Sequence, residues 1–135
     1  MSAEAAVYAR LSGYSGLTDL VGDRIYPMVI PPEKRGDAVT YQLIGTTPTP
    51  AMRADAPLTR SRIQVSCYGT KTSSQSAYAS AKAVRDQVVA ALNRFRGTVG
   101  GVAVQAVYRL TEFDLYDDDA KVDGVAVDFD VVFEE

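Results

Sequence analysis

The sequence predicts an α+β fold in a single domain over residues 1–135. We expect one mostly antiparallel, one-sided sheet packed against one long helix and one or two short helices. Two observations carry this prediction. Residues 62–95 have the pattern of a strand, a tight loop and a long amphipathic helix, and residues 125–133 alternate between apolar and polar side chains. Such alternation implies a sheet with one apolar and one polar face, and helices are the expected cover for the apolar face.

The N-terminal third predicts short elements. The spacing of apolar residues predicts a helix over Ala3–Leu11, which Gly13 would stop. A second helical turn is expected at Leu17–Val21, with Gly22 as a left-handed cap. Arg24–Pro27 should be extended and should end or lie at a sheet edge, because proline cannot donate to the strand ladder.

The middle of the chain predicts a strand between two loops. Ile30–Asp37 contains two prolines and a charged cluster, which indicates a surface loop, and Val39–Leu43 alternates as a half-buried strand does. Gly45–Pro57 shows no periodicity, and loops of this length are usually functional or disordered. We interpret Gly45–Pro57 as a binding or assembly arm, and a simple connecting arm is the alternative.

The central unit consists of a strand at Arg62–Tyr68, a loop at Gly69–Ser73 and a helix from Ser74 to Phe95, which Gly97 would stop. Thr72 with Gln75, or else Ser73 or Ser74, could cap the helix at its N-terminus. The expected buried stripe consists of residues at spacings of three and four, namely Ala77, Ala81, Val84, Val88, Leu92 and Phe95.

Strands predominate in the last third. Val102–Leu110 alternates, a second strand at Phe113–Leu115 follows a break near Thr111, and Val125–Phe133 is the most regular alternating segment in the chain. An acidic turn that ends in Asp123–Gly124 should join the last two strands.

No intact catalytic, cofactor-binding or metal-binding motif is present. The chain has no histidine, which removes the commonest general base and metal ligand. The loop Gly69–Thr72 lacks the glycines of a phosphate-binding loop, and Asp119–Gly124 places a lysine where a calcium loop needs a carboxylate. Cys67 lies on the apolar side of its strand, and Asp128 and Asp130 are expected on the polar face of the sheet. We therefore predict no enzyme, no cofactor and no metal.

The charge distribution predicts a protein that contacts other proteins. Net charge is −3, and residues 112–135 contain ten acidic side chains and a single basic one, whereas residues 1–111 carry seven acidic and thirteen basic side chains. This acidic balance disfavours specific nucleic-acid binding, and no apolar run suggests a membrane span. The polarity suits subunits that meet head to tail, and a solvated acidic hairpin is the alternative.

The order of these segments resembles the tail-terminator (tail-completion) proteins of long-tailed bacteriophages. The matching stretches are Leu17–Pro27 after an N-terminal helix, Arg62–Tyr68 before the long helix, Ala81–Val88 within it, and Asp114–Asp117 and Val127–Val131 in the closing hairpin. The resemblance extends over nearly the whole chain, and it rests on order and spacing because the individual motifs are structural.

The resemblance implies a structural virion assembly protein. Such a subunit forms a hexameric ring that caps the tail tube, ends tail polymerisation and joins the head connector, and DNA can pass through the ring. It also implies a place at the head-proximal end of the tail, and in the host cytoplasm during assembly. The alternatives are a head-completion or connector adaptor ring, a small carboxylate-based enzyme and a monomeric binding module.

The candidate interface residues come from loop length and charge, not from the resemblance. One group lies in the expected arm and the other in the acidic hairpin. They are Thr46, Thr47, Met52, Arg53 and Asp55, together with Asp117, Asp118, Asp119 and Lys121.

Overall fold

A computed structural model describes residues 2–30, 36–48, 58–70, 76–117 and 122–134, with the backbone alone at 116, 117, 122 and 123. The helices are α1 (Ala3–Ser12), α2 (Ser15–Val21) and α3 (Ala77–Leu92). The strands are β1 (Ile25–Pro27), β2 (Ala38–Pro48), β3 (Leu58–Gly69), β4 (Gly97–Val99), β5 (Val102–Asp117) and β6 (Val122–Glu134). The predicted α+β class is confirmed.

The six strands form one mixed sheet in the order β1-β2-β3-β6-β5-β4. β1 runs parallel to β2, and the other four pairings are antiparallel. The expectation of a mostly antiparallel sheet is therefore corrected to a mixed one. β2 starts beside the start of β1, with Ile25 next to Val39, and the two strands therefore run in the same direction. Alternation along a strand indicates its buried side but not the direction of its neighbour.

Helix α3 and the two central strands supply most of the core. Ile63, Val65 and Cys67 of β3 are completely buried, as are Val127 and Phe129 of β6. The helix contributes a stripe of small and branched side chains whose buried members are Ser80, Ala81, Val84, Val88, Ala91 and Leu92. At the two ends of the predicted stripe, Ala77 and Phe95 are only partly buried.

The ends of α3 differ from the prediction. Ser76 is the N-cap, and its hydroxyl oxygen accepts a hydrogen bond of 3.1 Å from the Ala79 amide, so the proposed caps at residues 72–74 are wrong. The helix ends at Leu92 because Asn93 is extended and Arg94 takes a left-handed conformation with φ of 64°. Gly97 does not stop the helix; it begins β4.

β2 and β3 are longer than predicted. Residues 45–48, which the sequence placed in the arm, continue β2 and pair with residues 59–62 of β3. A β-bulge between Leu43 and Gly45 interrupts the alternation, which is why the pattern ends early in the sequence. The side chains of Thr46 and Ser61 are hydrogen-bonded across this extension, with 3.0 Å between their oxygens.

β5 is one continuous strand with two irregularities in its register with β6, one between Val104 and Ala106 and one between Arg109 and Thr111. The break predicted near Thr111 is the second of these, so the two expected strands are a single strand. The short edge strand β4 was not predicted, because three residues are too few to show a period.

Several predicted features lie wholly or partly outside the described residues. They are the loop at 31–35, the arm at 49–57, the loop at 71–75 and the acidic turn at 118–121. Among the helices that the structure describes, none combines the length and the apolar character needed to span a bilayer.

Cys67 provides a direct test of the core. Its side chain has no exposed area, and burial raises the pKa of the thiol. We expect an alkylating reagent to leave the native protein unmodified and to react rapidly in concentrated urea. Equal labelling rates with and without urea would contradict this placement.

The burial of Cys67 also makes the free energy of unfolding depend on pH. Because ionisation above the ordinary thiol pKa of 9.0 favours the unfolded chain, stability should fall as pH rises past that value.

Candidate assembly interface

The second half of β2 lacks a neighbour on its outer side among the described strands. β1 covers only Val39–Tyr41, so residues 42–48 pair with β3 alone. All seven of these residues are exposed, including Leu43 at 40% and Ile44 at 48%. Consecutive exposed residues in a strand mean that neither face is covered. We name residues 42–48 the β2 free half.

The second half of β5 has the same property. β4 covers Val102–Val104, and beyond it the end of α3 reaches the same edge. The Arg94 amide donates to the Val107 carbonyl at 2.9 Å, and the Arg109 amide donates to the side chain of Asn93 at 3.4 Å. No described backbone hydrogen bond covers the outer edge from residue 110 to residue 117, which we name the β5 free half.

The β5 free half combines apolar side chains with charge. Leu110 is 45% exposed and Phe113 is 43% exposed. Leu110 borders a shallow depression that lies at the register shift and is lined also by Arg85, Arg109, Thr111 and Glu112. An unpaired strand edge with exposed apolar side chains is a template for another strand.

The acidic side chains of the β5 free half are tied to helix α3. Lys82 lies 3.6 Å from a carboxylate oxygen of Glu112 and 3.5 Å from one of Asp114, and Arg85 lies 3.7 Å from the other oxygen of Glu112. The Tyr78 hydroxyl donates to Asp114 at 3.1 Å. These contacts link the β5 free half to helix α3.

The opposite face of the sheet carries two arginine–aspartate pairs between β3 and β6. Arg62 donates from Nε to Oδ2 of Asp128 at 3.1 Å, and a second guanidinium nitrogen contacts the same oxygen. Arg60 lies 3.7 Å from Asp130. Asp128 and Asp130, which the sequence predicts on the polar face of the sheet, are thus each paired with an arginine.

The two pairs should differ in their contribution to stability. Asp128 retains 8% of its side-chain exposure and is contacted by two nitrogens of Arg62, whereas Asp130 retains 16% and lies 3.7 Å from Arg60. We expect Arg62→Met to lower the free energy of unfolding by about 2 kcal/mol, because it leaves a buried carboxylate without its partner. The matched variant Arg60→Met should cost less than about 1 kcal/mol. Urea titration of both variants measures the difference, and equal losses would contradict it.

The structure places three of the nine predicted interface residues on these free halves. Thr46 and Thr47 lie in the β2 free half, and Asp117 ends the β5 free half. The remaining six, Met52, Arg53, Asp55, Asp118, Asp119 and Lys121, lie outside the described residues.

The sequence analysis did not select the exposed apolar residues of the two free halves, namely Leu43, Ile44, Leu110 and Phe113. Ile44 and Leu110 lie at register shifts, where the alternation that marks an exposed side is lost. Within the described ranges, no group of three or more acidic, cysteine or histidine side chains is arranged to hold a metal ion.

Comparison with known proteins identifies the family. The family model described as tail completion protein gp17 matches residues 5–134. One solved chain, from the virion of a native gene transfer agent particle, superposes with a TM-score of 0.76 at 21% identity, covering 99% of this chain and 96% of that one. No curated protein matches the chain. The structural likeness shows a shared fold, and the family model matches nearly the full length, so the chain belongs to the tail completion protein gp17 family.

Proposed function

We propose that this protein is a tail terminator: its subunits form a ring, with six as the expected number, that caps the phage tail tube. The family supplies the general role, a structural one in tail assembly within a virion. The observation that carries the ring is the position of the two free halves. β2 is second and β5 is fifth in a six-strand sheet, so their outer sides point away from each other.

A subunit with two different association surfaces on opposite sides can bind one identical neighbour through each. Such head-to-tail contacts close into a ring when the rotation between neighbours divides the circle evenly. The uneven distribution of charge along the chain also favours contacts between unlike surfaces of neighbouring subunits over contacts between like ones.

In this proposal the ring stops tube growth on one face and offers the head connector a surface on the other, at the head-proximal end of the tail. The sheet face that carries the pairs of Arg60 and Arg62 is then the more polar side of each subunit and remains available to neighbours. The protein acts without catalysis, and its partners are the tail-tube protein and the connector protein.

The decisive experiment is deletion of the gene, followed by electron microscopy of the particles. We expect tails of uncontrolled length, because nothing ends polymerisation. Tails of normal length that fail to join heads would overturn the terminator role and favour a head-completion adaptor.

Light scattering of the purified protein tests the ring separately: a chain that stays a monomer at high concentration, even with tail-tube protein added, excludes ring assembly. A strong rise in melting temperature with a metal ion or nucleotide would favour an enzyme.

A further inference from the structure

We infer that neighbouring subunits join by antiparallel strand pairing, with the β2 free half of one copy adding to the β5 free half of the next. This inference rests on the proposed ring and names the surface that closes it. The partner is a second copy of the same chain, and the result is a sheet that continues from subunit to subunit.

The strand directions permit this pairing without turning any subunit over. From β2 to β5 the sheet passes through three antiparallel steps, by way of β3 and β6. β2 and β5 therefore run in opposite directions within one subunit. When an identical copy is placed beside the first with the same face of its sheet forward, its β2 runs antiparallel to the first copy's β5.

The covered halves of the two strands do not collide in this arrangement. β1 covers the first half of β2, and β4 with the end of α3 covers the first half of β5. In an antiparallel pair, the second half of one strand faces the second half of the other, so both covered halves project beyond the joint at opposite ends. The lengths agree, because the β2 free half has seven residues and the β5 free half has eight.

Charge favours this pairing over contact between two β5 free halves. The β2 free half contains no charged residue, whereas the β5 free half contains Glu112, Asp114 and Asp117. Two β5 free halves side by side would bring six carboxylates together, and like charges across strands are destabilising. A neutral β2 free half meets the same edge without that repulsion, while Lys82 and Arg85 continue to pair with Glu112 and Asp114.

The existing registers determine which side chains share a face across the joint. Thr47 lies on the face of Arg60, and Thr111 and Phe113 lie on the face of Asp128 and Ala126. Since Arg60 pairs in register with Val132, two strand positions from Asp130 and four from Asp128, all of these residues are on one face. Thr47 of one copy should therefore lie opposite Thr111 or Phe113 of the next, and Thr46 projects from the other face.

Engineered disulfides test the pairing in the full chain. We expect Thr47→Cys combined with Thr111→Cys or Phe113→Cys to give, on oxidation, a ladder of covalent oligomers at multiples of 14.5 kDa. Intramolecular closure is impossible, because two strands separate β2 from β5 and a disulfide needs Cα atoms within about 7 Å. Cys67 is fully buried and stays unmodified in all variants. The matched control, Thr46→Cys with Phe113→Cys, places the two thiols on opposite faces and should give no ladder.

Other outcomes overturn the inference and separate it from the proposed ring. Rings visible by electron microscopy, with neither same-face pair crosslinked, would leave the ring standing and disprove this joint. Covalent dimers of Thr47→Cys alone, or of Phe113→Cys alone, would show pairing between identical edges instead. Absence of rings from the unsubstituted protein, together with absence of any crosslink, would overturn the proposed ring and the joint with it.

Discussion

Val88→Asp should abolish folding of the domain. Val88 is fully buried in the centre of the α3 stripe, within the same core as Val65 and Val127. A carboxylate at this position would lie among apolar side chains, and burying a charge in an apolar core costs on the order of 4 kcal/mol or more. That loss is comparable to the whole stability of many small domains, which is roughly 5–15 kcal/mol.

Circular dichroism and urea titration measure this effect, and native light scattering reports any remaining assembly. The matched control is Ala90→Asp, two residues further along the same helix and exposed. It should change stability by less than about 1 kcal/mol, through helix propensity and the helix dipole. A Val88→Asp variant that folds and assembles like the unsubstituted chain would show that the buried stripe of α3 is wrongly placed.

Gly69→Ala should be the most damaging change of a single methyl group. An added Cβ at Gly69 would overlap the Ala77 carbonyl oxygen and the Ala81 amide nitrogen in the first turns of α3. These are backbone atoms, so no side-chain rotation relieves the overlap and the helix must move away from the sheet. We expect a loss above the usual range of overpacking, which is about 1–3 kcal/mol.

Thermal unfolding compares this variant with Gly45→Ala. Gly45 also lies in a strand, and an added Cβ there would meet no atom within 4 Å. Gly45→Ala should therefore leave the melting temperature nearly unchanged, whereas Gly69→Ala should lower it by several degrees at least. Similar melting temperatures for the two variants would mean that α3 does not pack directly on the end of β3.

The sequence predicted the elements whose burial is periodic. α1 follows the predicted range closely, and the stripe from Ala81 to Leu92 is buried as its spacing requires. β6 is buried where Val125–Phe133 alternates. Each of these elements places a periodic set of apolar side chains in the core, and hydrophobic periodicity indicates only that; it did not predict that Ala126 and Asp128, on the other face of β6, are buried as well.

Features set by neighbours in space were not readable. β1 is parallel to β2 because both strands start at the same level of the sheet, where Ile25 lies beside Val39. The length of β2 depends on its pairing with residues 59–62 of β3 rather than on its own pattern of apolar residues. The interface candidates Thr46 and Thr47 were selected because they appeared to lie in a loop, yet they belong to a strand. The free edge that makes them candidates is a property of the sheet order.

The hydrogen bond from Arg94 to Val107 has a consequence for solubility. Unpaired strand edges promote the uncontrolled stacking of chains into aggregates, and longer edges do so more readily. By occupying the outer edge of β5 near Val107 and Arg109, the end of α3 leaves only about half of this sixteen-residue strand open. The open edge of β5 is therefore shorter than the strand itself, which limits the length of backbone available for uncontrolled stacking.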